Sequence, residues 1–525
     1  MEGGVNRRRI FDILIPLLIV VFLAGMQMIL ENPSYANADE PLRKKEEKAR
    51  ESTKKEEKKD TAEKEKLSIT HHSVRVGGRA INYTATAGLM PLRDDAGKLK
   101  GHIFYTAYVA DAMGKREERP IAFVFNGGPG AASVWLHLGC LGPKRVLLSD
   151  KTLAAPYRWV DNEYTWLDDT DLVFVDPVGT GFSERGEGVE AKEFYDVDED
   201  IRWNAEFIRL YCTRNSRWLS PKFLIGESYG TTRSAGLAGY LQGKTALNLN
   251  GVVLISTALD FQTFSFNAGN ELPYVLSLPS YTETALYHKR LSPALQANRA
   301  ETRSSVEKFA LTEYLTALAK GSSLGKEERE AIVQKLADYT GLEKMSIRNS
   351  DLRISRGDFM RELLREKNQR VGILDSRIVG DYRPTNFFED PSVFLLVGPL
   401  AAVWNQYVRK ELEYVSDKPY EILSDKTSSS WKWGTSGQGY VNTATTLSRA
   451  MKENRALKVF VGSGYYDLTT PYLAAKYVVS HLGLDPASMA NVTMAYYDAG
   501  HMMYTDMASL KKLKEDVTRF FRGAL

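Results

Sequence analysis

Ser228 lies between two glycines in Gly226-Glu227-Ser228-Tyr229-Gly230, directly after the apolar run Phe223, Leu224, Ile225. Paired glycines permit the sharp strand-to-helix turn that lifts a serine hydroxyl clear of a sheet. That hydroxyl attacks only when a base removes its proton, and an oriented histidine is the usual base. His501 suits the role, following Asp498-Ala499-Gly500 at the end of a candidate strand. The base in turn needs a carboxylate on its other ring nitrogen, to hold the imidazole and stabilise its cation. Asp467 meets this need, after the strand-like Leu457 to Val461 and a short loop. Asp498 is the rival, but three residues before His501 it closes the same strand. Donors for a developing oxyanion are expected from the N–H of Tyr229, at a helix start, and from the glycine-rich Asn126-Gly127-Gly128-Pro129-Gly130. Glu227 is the anomaly, because a carboxylate beside a nucleophile opposes formation of an anionic intermediate.

Elements that deliver these residues to one edge of a sheet are legible. The segments around Val74, Ile81 and Phe104 alternate and are β-branched, with Gly77-Gly78 between the first two, and read as antiparallel hairpin strands. Afterwards short, fully apolar runs (Ile121 to Phe125, Leu172 to Val175, Phe223 to Ile225, Gly251 to Ile255) each end in a loop, with a helix expected after Ser228. Apolar strands alternating with helices mean a parallel sheet covered on both faces. From 259 to 383 the rhythm becomes helical, as in Val306 to Gly321, Lys326 to Gly341 and Arg356 to Asn368, which reads as an inserted cap. Strand and helix patterns resume beyond it. The expected organisation is therefore a core in two parts, 67–258 and 384–525, interrupted by the helical insertion 259–383. Ser228, Asp467 and His501 follow the chain order of α/β-hydrolases, and that fold is the expectation.

The N-terminal residues 1–38 carry Arg7 to Arg9, then the apolar run Ile10 to Leu30, then Ala36 and Ala38 in a small-x-small pattern. This is either a signal peptide cut after Ala38 or an uncleaved signal anchor tethering the chain to a membrane through residues 10–30. Either way the bulk of the chain is expected to be exported, periplasmic or secreted. Residues 39–66 hold eleven basic and ten acidic residues, a solvated linker with no apolar face. The net charge of the 525-residue chain is only +3 and no basic block is interleaved with aromatics, which argues against a nucleic-acid partner. Cys140 and Cys212 are the only cysteines, too few for a disulfide framework, and no histidine spacing suits a metal. His137 and His481 sit in or beside apolar helical text and read as structural. His71 and His72 precede the catalytic sheet, and His288 falls in the insertion.

Five co-linear segments resemble the serine carboxypeptidase family within the α/β-hydrolase fold. They are Asn126 to Gly130, Asp176 to Ser183, Gly226 to Gly230, Gly462 to Asp467 and Ala499 to Met502, spread over Leu67 to Leu525. The resemblance implies release of C-terminal amino acids from peptides with a free C-terminus, through an acyl-enzyme on Ser228, with no metal or organic cofactor. It implies oxyanion donors at Gly128 and Tyr229, and recognition of the substrate carboxylate by Asn126 and Glu227. Two facing carboxyl groups share a proton, so binding is expected to be best at acidic pH. The chain departs from better-known eukaryotic members in Phe125, Ala131 and Tyr465, where tryptophan, cysteine and aspartate are common, and looks more like bacterial exported members. The alternatives are an esterase or acyltransferase on the same triad, or a non-catalytic, membrane-tethered binding protein.

Overall fold

The structure, a computed structural model, describes residues 67–111, 114–148, 155–382, 389–434 and 439–525. The signal segment 1–38 and the charged linker 39–66 lie outside these residues. Strands β1 (Ser68–Val76), β2 (Arg79–Arg93) and β3 (Leu99–Ala110) form the expected antiparallel meander. Six longer strands of the same sheet follow: β4 (Ile121–Phe125), β5 (Asp171–Asp176), β6 (Lys222–Glu227), β7 (Gly251–Ile255), β8 (Lys458–Gly464) and β9 (Val492–Tyr497). These six run parallel to one another, and β5 joins the meander antiparallel to β3. The order across the sheet is β1-β2-β3-β5-β4-β6-β7-β8-β9, with the short strand Glu184–Arg185 added on β3.

The apolar runs have a direct structural cause. Successive residues of a strand point to opposite faces, and here both faces are covered. On β4, Ala122 and Val124 enter one core while Ile121, Phe123 and Phe125 enter the other. On β7, Val253 and Ile255 face the first core, and Val252 and Leu254 the second. The second core is closed by helices α1 (Val197–Arg214) and α2 (Tyr229–Thr245), through residues such as Phe207, Tyr211, Leu237 and Leu241. Cys140 belongs to the first core and Cys212 to the second, so the sheet separates them and both are free, buried thiols.

Between β7 and β8 the chain is mainly helical. Helices α3 (Leu272–Tyr287), α4 (Arg299–Phe309) and α5 (Lys326–Thr340) surround a third core. The helical reading of Arg356 to Asn368 shortens in the structure. The α-helix ends at Glu362, a 3₁₀ turn covers Arg365–Lys367, and Asn368 takes φ 53°. Helix α6 (Pro391–Lys410) returns to the first core with Val393, Leu400, Val403, Trp404 and Tyr407. Helices α7 (Ala444–Glu453), α8 (Tyr472–Ser480) and α9 (Met507–Ala524) complete the layers, α9 on the first core and α7 on the second. Among the described residues no helix is long and apolar enough to cross a membrane; residues 10–30 are not among them.

At the start of β5, away from the strand ends that carry Ser228 and His501, Asp171 anchors the sheet. Its carboxylate, fully buried, pairs with Arg119 Nε at 2.7 Å and Arg217 Nη1 at 2.6 Å. It also accepts the Ala110 N–H at 3.1 Å, tying β3 to β5. Removing one member of a buried ion pair leaves the others charged and unpaired, at a cost of roughly 3–5 kcal/mol. Asp171→Asn is therefore expected to lower the unfolding free energy by about that amount in urea denaturation. The folded fraction should still react normally at Ser228; a loss below about 1 kcal/mol would remove the anchoring role.

Candidate active site

Ser228 occupies the turn between β6 and α2 with φ 59° and ψ −129°, a conformation that a residue with a side chain rarely adopts. The turn is tight enough that its flanks admit no side chain. A Cβ on Gly226 would lie 2.1 Å from the Gly230 carbonyl oxygen. The serine is then pinned on both sides: its N–H donates to Ile255 O at 3.0 Å, and its carbonyl accepts from Thr231 N at 2.8 Å.

The loop after β4 approaches this turn closely. A Cβ on Gly127 would stand 2.4 Å from the Tyr229 nitrogen and 2.9 Å from Ser228 Cβ. The backbone of Gly127 is thus brought against the start of α2, with Gly128 next in the chain at φ 98°. Asn126 closes the arrangement. Its Oδ1 accepts the Leu136 N–H at 3.0 Å, which turns Nδ2 toward Glu227 Oε1, 2.9 Å away. Glu227 is 4 % exposed and its Oε2 has no polar partner other than the Tyr504 hydroxyl. Burial pushes its carboxyl up to about 7, although the neighbouring His501, Tyr504 and Asn126 pull the other way.

The structure brings Asp467 and His501 together: Nδ1 lies 2.7 Å from Asp467 Oδ2. A carboxylate has no proton to give, so Nδ1 carries the hydrogen and the neutral ring offers Nε2 as its base. Asp467 is completely buried and held by four donors in all, the others being Thr469 N at 2.7 Å, Thr470 N at 3.0 Å and Thr470 Oγ1 at 2.7 Å. Burial opposes charging His501, but Asp467, by charge and hydrogen bond, and Glu227 together outweigh it and raise its pKa. Asp498 is placed elsewhere, its side chain exposed and paired with Arg299 at 2.7 Å. His137 is a buried structural residue: Nε2 meets the Tyr108 hydroxyl at 2.6 Å, and burial lowers its pKa to about 3.

With this geometry in view, sequence comparison assigns the chain. A serine carboxypeptidase family profile matches residues 78–514. The chain belongs to the serine carboxypeptidase family. Among curated relatives, serine carboxypeptidase-like 45 of Arabidopsis thaliana is 26% identical over 220 residues, covering 39% of this chain and 43% of that protein. The pheromone-processing carboxypeptidase KEX1 of Saccharomyces cerevisiae is 32% identical over 154 residues, 27% of this chain and 20% of that protein. The chain thus spans less than half the length of these relatives. A solved structure of a prohormone-processing carboxypeptidase from Saccharomyces cerevisiae shares the fold, with TM-score 0.53 and 18% identity over 83% of this chain and 91% of that one.

Several residues of this family member's site escape sequence reading. Ser256 follows β7 at φ 53°, and its hydroxyl donates to the His501 carbonyl at 2.5 Å. Its predecessor Ile255 holds Ser228, so two consecutive residues bridge the serine and histidine loops. The only sequence signal was its place at the end of a parallel strand. On the other side, Arg233 of α2 donates to Asn126 O at 2.7 Å and to Asp200 Oδ2 of α1 at 2.8 Å, with all three side chains buried. Tyr504, beside Glu227, was also missed.

Ser256→Ala removes one hydrogen bond from the histidine loop without touching substrate. A single such bond contributes about 1 kcal/mol, so kcat is expected to fall roughly five- to tenfold. KM should hold, and labelling of Ser228 by a phosphonate should slow in parallel. An unchanged labelling rate would show that the bridge does not position His501.

Proposed function

We propose that the protein is a serine-type carboxypeptidase that releases C-terminal amino acids from peptides with a free C-terminus. Ser228 attacks the terminal peptide carbonyl while His501 Nε2 takes its proton, and Asp467 holds the ring and stabilises its cation. The backbone N–H groups of Gly128 and Tyr229 stabilise the oxyanion. His501 then protonates the departing amino acid, and water cleaves the acyl-enzyme by the same route in reverse. The observation that carries the substrate assignment is Glu227. It is a buried carboxyl adjoining the nucleophile, bonded through one oxygen to Asn126 and with nothing but the Tyr504 hydroxyl beside the other. Hydrolysis of a neutral ester or an internal peptide bond gives such an acid no task. A peptide C-terminus does, because a protonated Glu227 can share its hydrogen with the incoming carboxylate. Export of the chain, by cleavage after Ala38 or with residues 10–30 retained as a tether, is proposed on the signal-like N-terminal sequence.

Comparing one peptide as its free acid and as its C-terminal amide tests the assignment. The acid is expected to be cleaved at least about a hundredfold faster, the scale of one buried charge-assisted contact. Ser228→Ala should abolish both turnover and phosphonate labelling. Equal rates on acid and amide would favour an esterase or endopeptidase on the same residues.

The pH dependence has a definite sign. Glu227 holds its proton up to about 7, and losing it sets two carboxylates against each other. KM for free-acid peptides should therefore be flat below that pH and climb above it, approaching about tenfold per pH unit. A KM independent of pH between about 5 and 8.5 would sink the recognition role of Glu227.

A further inference from the structure

Two buried oxygens at the recognition end of the site, Glu227 Oε2 and the Tyr504 hydroxyl, have no polar partner outside their own pair. They are neighbours. The hydroxyl lies against the Glu227 carboxyl, close enough for each to perturb the other's ionisation. Tyr504 stands three residues beyond His501, in the 3₁₀ turn Met503–Thr505, and is 3 % exposed.

Its ring is held in place by the absence of a side chain opposite. A Cβ at Gly139 would lie 2.6 Å from Tyr504 Cε2 and 3.2 Å from Cδ2. The aromatic face therefore rests on the Gly139 backbone, one residue before the buried Cys140 thiol. That contact leaves the phenol directed at Glu227. A phenol is an unusual choice beside a carboxyl that must both hold and release a proton. Unlike a second acid it stays neutral, burial pushing its pKa far up. Its hydrogen is therefore always available to the carboxyl beside it.

We infer that Tyr504 is a positioning residue for carboxylate recognition, donating its hydrogen to the second oxygen of Glu227 in both charge states and leaving the acid's own hydrogen for the substrate carboxylate. The inference rests on the reading of Glu227 as the group that meets the peptide C-terminus. Asn126 fixes one carboxyl oxygen and Tyr504 the other, so the acid keeps one orientation in both states. Donation from Tyr504 favours the ionised form. Tyr504 accordingly sets the upper pH limit of binding, and its loss lets Glu227 keep the proton to higher pH. The other titratable groups bearing on Glu227 are His501, on the same loop as Tyr504, Asp467 from the loop after β8, and the Cys140 thiol. The Cys140 thiol is kept neutral chiefly by burial.

Tyr504→Phe in the full-length protein retains the ring and its packing on Gly139. KM is measured against pH on a free-acid peptide and on its amide. The midpoint of the KM rise is expected to move upward by about half a pH unit, shrinking the alkaline-to-acid KM ratio about threefold. The kcat plateau should stay within about twofold, since the phenol does not touch the reacting atoms. Gly139→Ala pushes the ring from below and should give the same shift, with no addition in the double variant. A KM raised equally at every pH, with the midpoint unmoved, would mean general loosening and overturn the inference. Glu227→Gln separates the two levels. If it flattens the KM profile while Tyr504→Phe leaves the wild-type midpoint in place, recognition by Glu227 stands and the Tyr504 role fails. If the wild-type enzyme treats acid and amide alike, the reading of Glu227 fails and this inference falls with it.

Discussion

Holding a carboxyl group out of water beside a serine is the constraint around which this site is built. Burial raises the pKa of Glu227, and an acid so placed persists only if its surroundings fix where its proton and lone pairs point. Asn126 does this with its side chain, and its carbonyl is held as well. Oδ1 is occupied by Leu136 N–H, Nδ2 by Glu227, and the backbone carbonyl by Arg233. Arg233 is anchored by Asp200, which also accepts from Asn204 at 2.9 Å and from the Tyr229 hydroxyl at 3.3 Å. A chain of buried bonds thus runs from α1 through α2 to the loop after β4. The same chain fixes Tyr229, whose backbone N–H adjoins Ser228. The groups proposed for recognition and for the oxyanion consequently share one support.

A second support reaches the acid and base loops from the helical segment. Glu283 of α3 is 1 % exposed and accepts from Arg299 and Arg303 of α4, each at 2.5 Å. Arg303 continues to the Tyr465 hydroxyl at 2.9 Å and stacks on that ring at 3.7 Å, two residues before Asp467. Arg299 reaches Asp498, three residues before His501. Arg377 adds a bond to the Asp498 carbonyl at 2.8 Å. Arginine suits this work because its planar fork can pair with a carboxylate and lie on an aromatic face at once. The helical insertion therefore braces the loops that carry Asp467 and His501. Tyr465, which departs from the common aspartate, is the surface that Arg303 uses.

The parts legible in the sequence were those that local chemistry dictates. Apolar runs ending in loops announced the parallel strands, because a strand buried on both faces must be apolar at every position. The glycines around Ser228 announced the turn, because only they fit its backbone contacts. Asp467 and His501 were readable as residues following two later strands. What stayed hidden depends on distant pairs. Ser256 meets His501 across 245 positions, and Arg233 meets Asn126 across 107. Nothing in a short run such as Leu254 to Thr257 distinguishes a hydroxyl with a task from an ordinary strand end. The arginines of α4 read as a charged helix face until Glu283 is seen buried beneath them. Tyr504 was passed over because one aromatic after a histidine carries no pattern, and its meaning comes from Gly139, far away in the chain.

Glu227 and His501 also share a problem of protons. In the proposed reaction His501 must be neutral to accept the serine proton, and Glu227 must be protonated to face a carboxylate. Each ionised form favours the other: the Glu227 charge raises His501, and the His501 charge lowers Glu227. Once the pair has lost one proton, two arrangements compete, an ion pair and a neutral pair, and they titrate as a unit. The ion pair is idle on both counts. A carboxylate docked against Glu227 penalises its ionised form and tips the balance to the neutral pair, which simultaneously frees Nε2 of His501. On the proposed reading, the free C-terminus of a peptide thereby selects the proton arrangement that both binds and cleaves it. An amide supplies no charge to make that selection, so it loses turnover as well as affinity. On the same proposal, discrimination between the two is exercised at the base, and Asn126 and Glu227 reach the chemistry without touching the scissile bond.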